Sequence, residues 1–429
     1  MTIPGVDVCV VGGGPAGLSA AHALLIARPG LRVAVCERAE LRPRGAVVSI
    51  PPNGVRALEA ISPELMPALR RHNNVHLSTR SFSPAGELVS SSEDGGLVTK
   101  IGVKGELLLL PWYALQAELA ATLPDGVLHT GHKFLRYEEG ADGVVAVFET
   151  PEGTHRLQAS LLIGCDGEQS AVREQLVGDG PPQFLGRAVW RAVRPRPADW
   201  PVEKGFVGWG GLGQPSCLTH TIGEDGGMLS WQAFAPWPAD RLDEIGGGRR
   251  AYTADAAGAG QPGAREQQQA AALLGRQRLE RALTAFEGYD PRLRDLIATT
   301  DPAIVIEHGQ FCREPDQCQV YARGRVALTG DAAHLGTPFL AQGCSQAIED
   351  ALELGRAVGA HGPTPEALAA YQEVRLPLSG EVQEASVQLF KELRSGTMTK
   401  HEIEVNTQRG FTSRTFAPLV ASPAPMAAA

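Results

Sequence analysis

The sequence predicts an α/β protein: a three-layer α/β domain, a smaller α+β domain with a mixed or antiparallel sheet, and helices towards the C-terminus. Three observations carry this expectation. The chain opens as strand, glycine turn, Ala/Leu-rich helix and second strand, VDVCVVGGGPAGLSAAHALLIA followed by RVAVCER, which is a βαβ pattern. The apolar period then falls to two across VLHTGHKFLRYEEGADGVVAVFETPEGTHRLQASLLIGCDG, between glycine-rich turns. Far downstream, GRVALTGDAAH and GCSQAIEDALELGRAV again place a strand, a loop and a helix in succession.

A chain of 429 residues suits two or three domains, each with a substantial core. Residues 1–75 form the first part of the three-layer domain, with a second helix in PPNGVRALEAI. Residues 76–105 carry two short strands around a Pro-Ala-Gly turn and are assigned to the smaller domain. Residues 106–183 return to the first domain, with a helix in WYALQAELAATL and an antiparallel layer ending in a buried strand at Leu161–Cys165. Residues 184–306 form the tryptophan-rich smaller domain, with a helical stretch around Leu273–Phe286. Within it, an Ala/Gly/Gln-biased insertion at about 246–272 is expected to be exposed and poorly ordered. Residues 307–360 complete the three-layer domain with a strand at Val326–Thr329 and a helix to about Val358. Helices at 361–410 follow, continuing from Pro365 to about Arg394, and 411–429 is a small-residue tail expected to be flexible.

The formal net charge of -9 argues against a nucleic-acid partner, because a basic face would have to overcome that acidic background. No apolar run approaches the length of a membrane span, and the opening apolar stretch lacks a preceding basic region and runs straight into glycines. Seven cysteines without CxxC spacing sit mostly in apolar runs, as Cys9, Cys36 and Cys165 do. They are expected to be reduced, Cys312 and Cys318 included, which points to a cytoplasmic protein.

Gly12, Gly14 and Gly17 fit GxGxxG with a strand before and a helix after. This arrangement allows a tight turn, brings backbone close to a pyrophosphate and aims the N–H groups of a helix N-terminus at it. Glu37 ends the next strand, where an acid accepts a hydrogen bond from an adenosine ribose. An adenine dinucleotide is expected here. A second match, Gly208, Gly210 and Gly213, precedes Pro215 and the alternating CLTHTI, so it is a turn between strands with no helix to face a phosphate.

Two further strands end in acids, Asp166 in LLIGCDGEQSAVR and Asp331 in GRVALTGDAAH. Such acids can bind a polyol or a metal; the metal reading is the weaker, since each acid is alone and no ligand-spaced His/Asp pair accompanies it.

With these residues in place, the chain resembles the FAD-dependent aromatic hydroxylases, or group A flavoprotein monooxygenases, in their salicylate hydroxylase-like branch. The resemblance spans residues 6 to about 358. GGGPAG with CER, which adds Pro15, Ala16 and Arg38, resembles the adenosine-binding part. CDGEQSAVR resembles the motif associated with FAD and pyridine nucleotide, and GDAAHLGTPFLAQGCSQAIEDA resembles the ribityl-binding motif. RPRGAVVSIPPNGVRALEAI is similar to the flavin-flanking loop and helix, with Arg44 in the place of an arginine near FAD. FLGRAVWRAVRP is similar to the family's approach to its substrate domain. One departure stands out: where the family usually has Arg or Gln before the helix ALQAEL, this chain has Trp112, read as packing, and Gln116 is the candidate to take over the lost contact.

The resemblance implies a Rossmann-like FAD-binding domain, NADH or NADPH as co-substrate, and oxygen transfer to a phenol or aromatic acid through a flavin C4a-hydroperoxide. Asp331 is then the partner of ribityl hydroxyls and Pro338 fixes the loop beside the ring. Gln342, Gly343 and Cys344 begin a helix whose positive end faces the flavin pyrimidine, an interaction worth about 1–2 kcal/mol. His334 in the same loop is expected to stabilise the loop. His220, on a strand of the substrate sheet, is the candidate base for a phenolic proton. Arg191 is placed to meet a carboxylate, and Trp190 and Trp231 are candidates for an aromatic pocket wall. Epoxidation of an isoprenoid or other alkene, and flavin binding without turnover, stay open as alternatives, as do the substrate, the choice of nicotinamide, and monomer against homodimer.

Overall fold

The computed structural model describes residues 5–42, 46–74, 78–93, 105–211, 213–223, 225–248, 264–395 and 414–420. Its strands are β1 (Val6–Val11), β2 (Val33–Cys36), β3 (Val47–Ile50), β4 (Ser78–Phe82), β5 (Leu88–Ser92), β6 (Leu108–Pro111), β7 (Leu128–His129), β8 (Lys133–Glu139), β9 (Val144–Thr150), β10 (Gly153–Gly164), β11 (Gln183–Pro195), β12 (Gly205–Gly210), β13 (Ser216–Ile222), β14 (Met228–Pro236), β15 (Ile306–Cys312), β16 (Ala322–Arg323) and β17 (Val326–Leu328). The helices are α1 (Pro15–Ala27), α2 (Pro52–Ile61), α3 (Met66–His72), α4 (Trp112–Ala121), α5 (Ala171–Leu176), α6 (Ala264–Ala285), α7 (Pro291–Ala298), α8 (Asp331–His334), α9 (Gly343–His361) and α10 (Pro365–Ser395). Among the described residues no helix is long and apolar enough to cross a membrane, and all seven cysteines are free thiols.

The first sheet runs β16-β17-β10-β1-β2-β7, with β8 and β9 attached beside β10. Its centre is parallel, β1 lying between β10 and β2 in register, and its β-branched strands are buried on both faces as such sheets require. β10 serves two layers: its first half pairs antiparallel with β9, and its second half pairs parallel with β1 and β17. α1 packs along α9, and α9 packs in turn on α2 and α10.

The second sheet is mixed, ordered β15-β11-β14-β13-β12-β4-β5 and antiparallel except where β4 joins β12. Alternation along its strands gives it two unlike faces. Behind it, Trp190, Trp209 and Trp231 are fully buried in a core shared with α6 and α7. Each indole N–H has a partner there: Trp190 donates to Glu307 Oε1 at 2.6 Å, Trp209 to Asp290 Oδ2 at 2.8 Å and Trp231 to Thr300 Oγ1 at 3.1 Å. The rejected glycine match at 208–213 does lie at the β12–β13 connection.

Three boundaries differ from the sequence reading. β15, assigned there to the first domain, pairs with β11 in the second sheet, because a uniformly buried strand carries no pattern that names its partner. α6 begins at Ala264, inside the biased stretch, whose Ala and Gln favour helix; residues 249–263 of that insertion lie outside the described residues. Residues 414–420 of the expected tail are docked: Leu419 N donates to Ala60 O at 2.7 Å, and Phe416 and Leu419 pack on the main core.

At the first turn, Gly12 has φ 110° and a Cβ there would lie 2.5 Å from the Cys165 carbonyl; a Cβ on Gly17 would lie 2.0 Å from the Gly12 carbonyl. Those contacts are with backbone and cannot relax by a rotamer change. Gly17→Ala is expected to lose about 1–3 kcal/mol of stability in urea unfolding; wild-type stability would show that the loop moves freely.

Candidate functional site

The three sequence loops converge on one cavity of about 450 Å³. Its first wall is Gly14, Pro15 and Ala16 at the N-terminus of α1, with Trp112 at the start of α4. The second is the stretch from α8 into α9, including Asp331, Pro338, Gln342, Gly343 and Cys344. The third is the front face of the second sheet, where Val189, Arg191, Gln232, Phe234, His308 and Gln310 project, and Val382 and Gln383 of α10 close the side.

Within the first loop, Glu37 Oε2 accepts from Gly13 N at 2.7 Å and Oε1 from Ala39 N at 3.1 Å. The ribose-binding candidate therefore already stands against the glycine turn. Arg38 beside it is exposed, and Arg44 lies outside the described residues. Gln116 has a different role from the one expected: its Nε2 donates to the Gly13 carbonyl at 2.7 Å, bracing the loop from behind, and it is absent from the cavity wall. Trp112 takes the wall position, its ring within 3.9 Å of where a Cβ on Gly14 would sit.

Asp166 also turns away from the cavity. Its carboxylate accepts from Ser170 Oγ at 2.5 Å, Ala171 N at 2.8 Å and Val172 N at 3.2 Å, capping α5. Burial raises its pKa, against the pull of these hydrogen bonds. Its neighbours Cys165, Gly167 and Glu168 line the cavity in its place. Arg173, in the same motif, reaches across: Nη1 donates to the carbonyls of Ala332 and Ala333 at 3.0 and 2.9 Å, while Asp179 neutralises it at 2.7 Å.

Beneath the third motif lies a buried charge cluster that the sequence reading missed. Arg375 of α10 donates through Nε to Asp350 Oδ1 at 2.7 Å and through Nη1 to Glu349 Oε2 at 2.8 Å, and all three side chains are fully buried. Asp350 Oδ2 accepts from Gly330 N at 2.8 Å and from His334 Nε2 at 2.6 Å, so His334 stabilises the loop, as expected. Glu349 Oε1 accepts from Asn53 Nδ2 at 2.7 Å, and Asn53 also donates to Gln342 Oε1 at 2.9 Å. The one available signal was two adjacent acids inside the otherwise apolar AIEDAL. Between these supports Ala341 takes φ 52°, a left-handed conformation unusual for a residue with a Cβ. Cys344, next along, has its thiol pushed up to about 12 by burial.

On the sheet wall, only Arg191 of the three expected substrate residues faces the cavity. Trp190 and Trp231 point the opposite way into the rear core, because their strands place alternate residues on opposite faces. His220 shares the front face but stands outside the cavity wall. It lies opposite Ser230, whose Oγ accepts from Val47 N at 3.2 Å, so β3 seals the sheet at that row, and the His220 ring packs on Phe206 at 5.2 Å.

Comparison with known proteins agrees with this geometry. A family description of a FAD binding domain matches residues 115–189 and 291–386. The chain is 31% identical over 391 residues to a 3-amino-4-hydroxybenzoate 2-monooxygenase of Streptomyces platensis, covering 88% of this chain and 86% of that protein. The chain belongs to the FAD-dependent aromatic monooxygenases. A 3-hydroxybenzoate 6-hydroxylase of Klebsiella oxytoca is 29% identical over 380 residues, with 87% and 85% of the two chains covered. The fold matches that of HpxO from Klebsiella pneumoniae, solved with FAD and uric acid, at a TM-score of 0.65 and 22% identity over 96% and 93% of the chains.

The residues of this monooxygenase fit FAD. The Gly12 turn leaves no room for a side chain beside the Cys165 carbonyl, the α1 N-terminus opens on the cavity, and the α9 N-terminus approaches it from the other end.

Burial alone would raise the Asp350 carboxyl, but His334 and Arg375 beside it outweigh that and hold it at about 2. An unfolded aspartate titrates near ~3.9. The stabilisation from this charge is thus complete above about pH 4 and is lost as the pH falls from there through about 2. Urea unfolding across that window is expected to show declining stability in the wild type and a shallower decline, from a lower start, in Asp350→Asn; equal slopes would mean that the acid response arises elsewhere.

Proposed function

We propose that this monooxygenase hydroxylates a benzene ring bearing a carboxylate and a phenolic hydroxyl, and that Arg191 holds the carboxylate. The observation that carries this reading is the charge pattern of the cavity. Arg191 is the one arginine or lysine among its described lining residues, where Glu168 and Asp331 are the acids, and the wall around it combines apolar Val189 with the rings of Phe234 and Phe311. Such a site suits a ring with a single anionic substituent, which a guanidinium meets in bidentate fashion. The names of the two benzoate-acting relatives fit this chemistry.

FAD, reduced by NADH or NADPH, supplies activation of molecular oxygen. This chain's residues do the rest. Asp331 and the backbone of the α9 N-terminus would hold the cofactor's polyol and its electron-rich edge, and Gly14, Pro15, Ala16 and Glu37 its nucleotide part. Pro338 keeps the intervening loop beside the ring, and the apolar side chains exclude water.

For the phenolic proton His308 replaces His220 as the candidate. It lines the cavity on β15, opposite Val189 and diagonal to Arg191 on the same face. Diagonal neighbours stand about 7–8 Å apart, a separation that a disubstituted ring fits. His308 Nδ1 lies 2.6 Å from the Gly309 carbonyl, and a carbonyl can only accept, so Nδ1 carries a proton and, in the neutral ring, Nε2 would be the basic nitrogen.

NAD(P)H oxidation and product formation across a panel of hydroxybenzoates, with alkenes as comparison, tests the reading; turnover of alkenes alone would overturn it. Arg191→Met is expected to raise KM for the aromatic acid roughly 10- to 100-fold while sparing the corresponding uncharged phenol, since a charge-assisted hydrogen bond is worth about 1.5–3 kcal/mol. His308→Asn is expected to slow turnover of an un-ionised phenol by about 10²-fold or more and to spare a nitrophenol already ionised at the assay pH. Equal loss on both substrates would assign His308 a packing role, and a selective loss in His220→Asn would return the assignment to that residue.

A further inference from the structure

The docked segment 414–420 does more than cover apolar surface. Arg56 Nε donates to the Arg414 carbonyl at 2.7 Å and Arg356 Nη2 to the Ala417 carbonyl at 2.6 Å, laying the segment across α2 and α9. From there the Arg414 side chain runs inward. Its Nη1 lies 3.0 Å from Glu349 Oε2 and its Nη2 donates to the Leu378 carbonyl at 3.1 Å, with 16% of the side chain exposed. It thereby joins the cluster beneath the α9 N-terminus. Arg375 is one guanidinium shared between two fully buried carboxylates, Glu349 and Asp350; His334 also faces Asp350, and Arg414 is the second guanidinium at Glu349, standing 4.0 Å from Glu381 Oε2 as well.

A buried carboxylate without its counter-charge is costly, and it repels further negative charge nearby. Reduced flavin carries added negative charge, and the first turn of α9 is the element whose positive end would face it. Glu349 also holds that turn in place, through Asn53 to Gln342 and through Gln346 Nε2 at 3.3 Å.

We propose that Arg414 is a positioning residue of the flavin site: the C-terminal segment delivers the second counter-charge to Glu349, which orients the first turn of α9 and keeps the cluster from opposing flavin reduction. This rests on α9 facing the flavin ring. The full-length holoenzyme and its Arg414→Met, Arg414→Lys and Arg414→Met/Glu349→Gln variants test it, with the flavin midpoint potential and FAD retention as readouts. Arg414→Met is expected to disfavour two-electron reduction at least tenfold, a shift of about 30 mV to more negative potential. Lysine, or removal of the Glu349 charge in the double variant, is expected to restore the equilibrium to within threefold. If Arg414→Met fails to retain FAD, recovery of FAD by those same two variants is the supporting result.

A wild-type potential in Arg414→Met overturns the proposal, as does a loss that neither variant corrects, which would assign Arg414 to packing alone. Failure of the underlying reading is distinct: a potential unmoved even by Gln342→Glu, which puts a negative charge at the start of α9, would mean that this helix end does not face the flavin.

Discussion

The cluster of Arg375 with Asp350 and Glu349 is the interaction on which the site's architecture turns. A guanidinium is the one side chain able to present several donors in a fixed plane, and here two buried carboxylates and the Gln346 side chain use them. Through Asp350 the cluster fixes the Gly330 backbone and His334, at the start of the loop. Through Glu349 it fixes Asn53, and so α2 and the α9 N-terminus. Removing one member of such a set leaves a buried charge uncompensated, at a cost of about 3–5 kcal/mol. That is why a loop containing a left-handed alanine can hold one shape.

A second network ties this loop to the substrate sheet. Asp179 accepts from Arg173 and, at 3.0 Å, from Arg313, which directly follows β15. Arg313 N donates to the Leu335 carbonyl at 2.9 Å, and Gln383 Nε2 donates to the carbonyls of Arg313 and Leu335 at 3.1 and 3.3 Å. The strand that carries His308 is thus fastened at its end to the loop that carries Pro338. The two cavity walls are tied together by these ion pairs and amide–carbonyl hydrogen bonds, with the Val47–Ser230 contact at the opposite side. The rear of the sheet is stiffened independently, since Glu307 accepts from Trp190 and pairs with Arg281 at 2.5 Å.

What the sequence made legible follows from how local each signal is. GGGPAG between a strand and a helix is a local demand: Gly12 and Gly17 leave no space for side chains in a turn set by their neighbours. The cofactor loops were therefore readable together with their fold. Face assignment on the substrate sheet was not, because shifting a strand by one residue exchanges its faces. Trp190 and Arg191 are adjacent in the chain and end up on opposite sides, one in a core and one in the cavity. The acids Asp166 and Asp331 looked alike at two strand ends; whether each served a helix cap or the cavity depended on the turn that followed, Ser170–Val172 in one case and a short helix in the other. Arg375 and Arg414 were illegible for the opposite reason, since nothing near either one says that its partner lies on α9.

The same logic explains why Trp112 is compatible with the family's site despite standing where a polar group is usual. A polar side chain there could reach the cofactor and brace the turn together. In this chain the two tasks are divided: Gln116, one helical turn on and buried, holds the Gly13 carbonyl, while the indole of Trp112 supplies flat apolar surface to the cavity wall beside Gly14. The hydrogen bond that steadies the loop moves from the wall to the interior, where it is shielded from water and holds the glycine turn whether or not a ligand is present. The wall itself presents an aromatic face at that point in place of a side-chain donor. On the proposed reading, the cofactor's polar contacts would fall to Asp331, the α1 N-terminus and the first turn of α9, which places the greater demand on the buried charges that hold that turn.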